Sequence, residues 1–274
     1  MAPIYIFYLL LTGIGVGFVS GLLGVGGCFI MVPVQFFILK AIGIDPTIAI
    51  RVAFGTNLLV VFPTALSGAL RHHKKRAVIW RAAIILGLTS VIFTFLGAYL
   101  AAHLPGKILK IIFGLAILLG ALRMITARPI RVEGEPHGNP FTYLFLGAIF
   151  GFITGLIGIG GGVLMVPLMV IFLNYHMHEA VATSTAIMIF TSLGGAIAYI
   201  LYGLKVQGLP PYSLGYVNLL QWILLAATSV PMAQVGAHLA HKIHPKSLKW
   251  VFIAVMIYMG LKMIGLFSWL HLPF

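Results

Sequence analysis

The chain is short of almost everything a water-soluble protein needs. Only 8% of its 274 residues are charged, against about 25% in soluble domains. Acidic residues are scarcest, with Asp45, Glu133, Glu135 and Glu179 the only four. All four fall in loops or at segment ends, whereas cation pumps and proton relays place carboxylates inside the bundle. A single cysteine, Cys28, excludes an intramolecular disulfide framework and a multi-cysteine metal site. Long polar stretches are missing too: the longest, from about residue 126 to 140, cannot make a soluble domain.

What remains is 61% hydrophobic, with 17 Lys or Arg giving a formal net charge of +13. A basic excess signals nucleic-acid binding when it covers a solvated face; these charges are sparse and sit between apolar runs. The chain therefore reads as an all-α polytopic membrane protein in a lipid bilayer, with no nucleic-acid partner. Residues 1–18 lack a positive leader and a small-residue cleavage site, so they read as a retained membrane segment.

Two homologous halves are visible. Gly21-Leu22-Leu23-Gly24-Val25-Gly26-Gly27-Cys28 matches Gly155-Leu156-Ile157-Gly158-Ile159-Gly160-Gly161-Gly162 at an offset of 134, and Pro33 and Pro167 keep it. Val52-Ala53 and Thr56 meet Val181-Ala182 and Thr185 at 129. Thr89-Ser90 meets Thr228-Ser229 at 139, as does Gly97-Ala98 with Gly236-Ala237. The drift falls between apolar runs, where loop insertions belong. Residues 1–127 and 141–274 form the two repeats, joined by a linker at 128–140.

Each half holds an odd first segment and three ordinary spans, 47–70, 78–102 and 108–125, then 180–204, 216–241 and 248–266. Each ordinary span has the approximately 20 residues that cross a hydrocarbon core. The first segments, 4–39 and 141–173, are too long for one crossing and are broken by clustered glycine. Two half-length helices meeting at a glycine turn fit that length, as a re-entrant pair or a broken helix, giving 8–10 helical segments. Irregular backbone at such depth needs protein or a watery cavity around it.

Arg71, Lys74, Lys75 and Arg76 form the strongest basic loop, which the positive-inside rule makes cytoplasmic, together with the linker bearing Arg123, Arg128 and Arg131. If each first segment re-enters, each half crosses three times and the halves are inverted repeats with both termini outside. If each crosses once, there are eight spans and both termini lie inside. The inverted arrangement is preferred, because it also places Lys242, Lys246 and Lys249 inside.

The glycine clusters carry the functional reading. Glycine lets backbone amides turn toward a ligand, and a helix starting after such a turn presents free N–H groups and partial positive charge. In inverted-repeat transporters such half-helix ends face the substrate. Close helix packing through small residues is the alternative. Gly13, Gly15, Gly17 and Gly21 are no nucleotide fingerprint, because no strand or following acid frames them.

The paired glycine motifs, each with its following proline, and the helix starts Gly55-Thr56-Asn57 and Thr183-Ser184-Thr185 together resemble the sulfite exporter TauE/SafE family, also called the 4-toluene sulfonate uptake permeases. The resemblance covers nearly the whole chain. It implies a secondary transporter in the cytoplasmic (inner) membrane for sulfite, thiosulfate, sulfoacetate or related organosulfonates, working by alternating access. The substrate-binding candidates are Gly24, Gly26, Gly27, Cys28, Thr56, Asn57, Gly158, Gly160, Gly161, Gly162, Ser184 and Thr185. Cys28 stands where the second half has Gly162, which makes the two glycine turns chemically unequal.

Hydroxyls and amides can donate to sulfonate oxygens without a permanent charge; their alternative roles are interhelical bonds and back-bonding to the i−4 carbonyl. Second-tier candidates are Gln35, Arg51, Thr89, Ser90, Gln221, Thr228 and Ser229. Arg51 reads as an electropositive gate, or as a snorkelling side chain or a partner of Asp45. His238, His241 and His244 read as an interface face and not a metal site, and Trp80, Trp222, Trp250 and Trp269 as an interface belt. No cofactor is implied. No residue assigns a coupling proton or sodium ion; an inside-negative potential favours anion exit by about 2.3 kcal/mol per charge per 100 mV. A channel-like anion pathway is the second functional reading, and an enzyme is disfavoured for want of an acid–base pair or an activated nucleophile.

Overall fold

The computed structural model describes residues 3–23, 28–126, 139–160, 162–239 and 245–266. These form ten helices: α1 (Pro3–Leu23), α2 (Cys28–Ala41), α3 (Pro46–Lys74), α4 (Trp80–His103), α5 (Gly106–Thr126), α6 (Pro140–Ile157), α7 (Gly162–Leu173), α8 (Met177–Gly203), α9 (Leu219–Leu239) and α10 (Pro245–Ile264). A two-stranded hairpin, β1 (Ser213–Leu214) and β2 (Val217–Asn218), precedes α9. The six ordinary spans thus appear as α3, α4, α5, α8, α9 and α10, and α3, α4, α5, α6 and α8 are long and apolar enough to cross a membrane.

Local chemistry sets the ends. Asp45 caps α3, its carboxylate accepting from the Thr47 and Ile48 N–H groups at 2.8 and 3.2 Å, with Pro46 in the first turn. Asn139 and Pro140 start α6 in the same manner, and Gly158, left-handed at φ 64°, ends it. Asp45 is thereby bound to the helix it starts.

α3 and α8 form the centre, with 67% and 61% of their apolar windows buried. They run antiparallel, Gly55 lying against Tyr199 and Gly68 against Thr185. α5 and α10 also run antiparallel, Gly114 facing Ile264 and Leu118 facing Gly260. The outer pairs exchange partners across the chain's midpoint: α4 packs on α6, and α1 on α9. Gly147, Gly151 and Gly155 of α6 lie against Leu86, Ser90 and Thr94 of α4, so these two helices are parallel. Gly13 and Gly17 of α1 lie in the same way against Thr228 and Ser229 of α9. A methyl group on Gly151, Gly155 or Gly17 would strike the partner's backbone, which is the close approach that small residues permit in membranes. Ser90 and Thr94 hydroxyls donate to the Gly147 and Gly151 carbonyls at 2.9 and 3.0 Å, each bond worth about 0.6 kcal/mol in a bilayer. The outward faces are apolar: Leu88, Ile92 and Leu96 of α4 line one exposed edge.

The first segments do turn back on themselves. Tyr143 near the start of α6 bonds Tyr175 just after α7, hydroxyl to hydroxyl at 2.8 Å, and Tyr5 and Tyr8 of α1 line one groove with Phe37 and Ile38 of α2. Their arms are not both half-length, however. α1 and α6 have 21 and 18 residues, about 31 and 27 Å, whereas α2 and α7 have 14 and 12, about 21 and 18 Å. The glycine break therefore falls after a nearly complete crossing, because the glycine ridges of α1 and α6 keep those arms helical along their partners. The aromatic belt needs correction too: Trp80 and Trp250 are exposed, but Trp222 turns inward and donates to the Leu59 carbonyl at 3.1 Å. Trp269 lies outside the described residues.

Candidate functional site

The best-defined polar cluster sits where the α6–α7 turn meets the middle of α3. Gly158 and Gly160 both take positive φ, 64° and 73°, a conformation that glycine adopts without penalty. Gly158 presses on Phe54 so closely that it has no room for a side chain, and Gly160 lies against Val61 of α3 and Met188 of α8. The Asn57 amide donates to the Gly158 carbonyl at 2.6 Å and lies near the Cys28 thiol at the start of α2. Three elements thus converge: the first turn of α2, the middle of α3, and the turn leading into α7.

This cluster is closed to solvent. Cys28 is 2% exposed and Asn57 and Thr154 are 0% exposed. Their hydrogen bonding is nevertheless incomplete. Among the described residues, Asn57 Oδ1 and the Thr154 hydroxyl, one turn before Gly158, have no partner. The carboxamides of Gln35 on α2 and Gln221 on α9 are fully buried and have no partner at either atom. Buried polar groups are almost always paired, so these unpartnered atoms are exceptions in an otherwise satisfied interior.

The remaining candidates separate. Gly162 begins α7, whose first N–H groups have no acceptor within the helix. Thr56 accepts from the Asn218 N–H at 2.8 Å and so ties β2 to α3 beside Asn57. Asn218 in turn accepts from the Gln221 N–H at 2.9 Å. Gly55 accommodates the Tyr216 carbonyl of the same hairpin, so this connection covers the cluster on the side of the α3 N-terminus. Non-helical backbone at that depth is tolerable because protein surrounds it. Ser184 and Thr185 donate to their own helix, to the Val181 carbonyl at 2.9 and 2.7 Å. Gly24, Gly26, Gly27 and Gly161 lie outside the described residues.

Among the second tier, Thr89, Ser90, Thr228 and Ser229 belong to the glycine-ridge contacts and lie away from the turn. The Ser229 hydroxyl there is buried without a partner. Arg51 is committed to the end of α4, donating to the Ala101 and Leu104 carbonyls at 3.1 and 2.9 Å and to the Tyr216 hydroxyl at 3.0 Å. That is a helix C-terminus capped by a cation, neither an open gate nor a partner of Asp45. Among the described residues no three His, Cys, Asp or Glu gather into a metal-ligand set; His241 and His244 lie outside those residues. Thr154 and Asn218 were not singled out from sequence. Thr154 had a signal: Ser20 stands 134 residues before it, the offset of the glycine motif.

Comparison with known proteins now bears on this geometry. The family model described as "Sulfite exporter TauE/SafE" matches residues 9–263. A probable membrane transporter protein of Methanocaldococcus jannaschii is 30% identical over 93% of this chain and 94% of its own. YunE of Bacillus subtilis, another probable membrane transporter protein, is 29% identical over 95% and 98%. One from Haemophilus influenzae is 26% identical over 94% and 98%. No solved structure matches the chain.

Proposed function

This chain belongs to the sulfite exporter TauE/SafE family and is a multi-pass membrane transporter, and from that premise we propose that it exports a sulfur-containing oxyanion across the cytoplasmic membrane by alternating access. The anion sits at the α6–α7 turn, where Gly158 and Gly160 lead to the free N–H groups at the start of α7 and Asn57, Thr154 and Cys28 supply side chains. Gly24, Gly26, Gly27 and Gly161 join this reading from the two sequence motifs alone, with Thr56, Ser184 and Thr185 on the flanking helices. The observation that carries the reading is the set of buried, unpartnered polar atoms around the Asn57–Gly158 bond. A helix N-terminus presents donors and partial positive charge to an anion without needing a lysine or arginine.

The two halves are inverted repeats in this proposal. The antiparallel packing of α3 on α8 and of α5 on α10 supports it, since each pair consists of equivalent spans at the sequence offsets. The described state is occluded. Opening toward the side of the α3 N-terminus requires the β1–β2 hairpin to leave Gly55 and Thr56; opening on the other side requires α7 to part from α3 and α8.

Purified protein in liposomes loaded with radiolabelled sulfite provides the test. Efflux that saturates and shows counterflow fits a transporter, whereas a linear, unsaturated flux favours the channel-like reading. Gly160→Leu, which forces a leucine to positive φ against Val61, should abolish flux while the protein still inserts. Undiminished flux in that variant removes the turn from the mechanism.

A further inference from the structure

We infer that this site takes its oxyanion in the singly protonated form, binding an O–H donor as well as oxygen acceptors. The inference rests on the proposed anion site and adds the protonation state of what fills it.

The argument begins with Asn57. Its Nδ2 donates to the Gly158 carbonyl, which leaves Oδ1 as the atom still able to bond. That oxygen is buried and unpartnered. A carbonyl oxygen can only accept, so its partner must bring a hydrogen. A fully deprotonated oxyanion has none to bring, and meets repulsion there. The other unpartnered groups are also neutral. Gln35 and Gln221 each offer one acceptor oxygen and one donor nitrogen, and Thr154 offers a hydroxyl that serves either way. Gln35 stands two turns along α2 from Cys28, at i+7 on the same face. Gln221 donates its backbone N–H to the Asn218 side chain, and the Asn218 N–H donates to Thr56. The unpartnered groups are therefore mixed donor and acceptor, and none of them is a cation that would offset a second negative charge.

The titratable groups around Asn57 agree with a proton that travels on the ligand. Cys28 faces it from α2. Tyr199 of α8 donates to the Gly155 carbonyl at 2.8 Å, and Tyr216 of the hairpin receives the Arg51 guanidinium. None of these is a carboxylate or histidine. A hydrogen-oxyanion such as hydrogen sulfite satisfies both kinds of atom: its O–H meets Asn57 Oδ1, and its other oxygens accept from Thr154, the carboxamides and the α7 N-terminus. The moving ion then carries one negative charge and its own proton, which needs no relay of acidic side chains.

The experiment is ligand-induced thermal stabilisation of the purified full-length protein by sulfite, sulfate and methanesulfonate, from below to well above neutral pH. Sulfite, which titrates near neutrality, should bind best below it and lose about tenfold in apparent affinity per pH unit once its proton is gone. Sulfate and methanesulfonate, which hold no proton in this range, should stay at least about tenfold weaker throughout. The midpoint of the sulfite profile should be the same in Cys28→Ser, because the ligand and not the thiol titrates. Gln35→Met and Gln221→Met remove amides that already lack partners. They should keep or raise the melting temperature without ligand while weakening sulfite several-fold. Sulfite binding that ignores pH, sulfate binding as tight as sulfite, or a profile that vanishes in Cys28→Ser overturns the inference and leaves the anion site standing. No stabilisation by any of the three anions removes both.

Discussion

Arg51 and Asn57 show what a single position does and does not reveal. Arg51 stood out in the sequence as a charge drawn into an apolar span, but its partners did not. They are carbonyls of Ala101 and Leu104, some 50 residues away, and a backbone acceptor leaves no trace in residue type. Replacing the guanidinium by an apolar side chain strands those carbonyls and the Tyr216 hydroxyl in a poorly hydrated place. Arg51→Leu is expected to lower stability in detergent by about 1–3 kcal/mol, read as a fall in melting temperature, with anion affinity changed less than about twofold. A tenfold loss of affinity at unchanged melting temperature would restore Arg51 as an anion-attracting gate. Asn57 was legible as a candidate because its position follows Gly55-Thr56 in the motif. Its bond to Gly158 was not, since the two residues are 101 apart in the chain and only the packed bundle joins them.

At the scale of the element, hydrophobic run length located the six ordinary spans to within a few residues. The arms of the first segments exceed the half-length expectation because glycine in them packs helices together as well as breaking them. In α6, Gly147, Gly151 and Gly155 recur every fourth residue and lie along one face, where they admit the α4 backbone instead of ending the helix. Position within the ridge should decide the effect of adding a side chain. Gly151→Val drives methyl groups into the Ser90 backbone and is expected to cost about 1–3 kcal/mol, at the scale of overpacking, with reduced yield of folded protein. Gly15→Ala, on α1 where nothing stands within 4 Å of the added carbon, should be neutral or stabilise by up to about 1 kcal/mol. Equal losses in the two variants, measured by thermal unfolding in the same detergent, would separate the ridge from its supposed role.

For the whole molecule, charge counts and the repeat offsets favoured an inverted over a parallel arrangement without deciding between them, because they do not set the direction of any helix. That information lives in which glycine faces which neighbour. With α3 and α8 antiparallel, Lys75 after α3 and Lys205 after α8 emerge on opposite faces of the bundle. In a Cys28→Ser background, Lys75→Cys should react with a membrane-impermeant thiol reagent only from the cytoplasmic side, and Lys205→Cys only from the outside. Labelling of both from one side contradicts the inverted arrangement, whatever the substrate proves to be.

The exchange of partners across the midpoint also sets a timetable for translation. α4 meets α6 soon after it leaves the ribosome, but α1 emerges roughly 200 residues before α9. At about 5–20 residues per second that delay is on the order of 10–40 s. Through that interval the bare glycine face of α1 must be sheltered by lipid or by the insertion machinery. The nascent N-terminal half therefore cannot finish folding by itself: α1 waits for α9, and α5 waits for α10, which emerges later still.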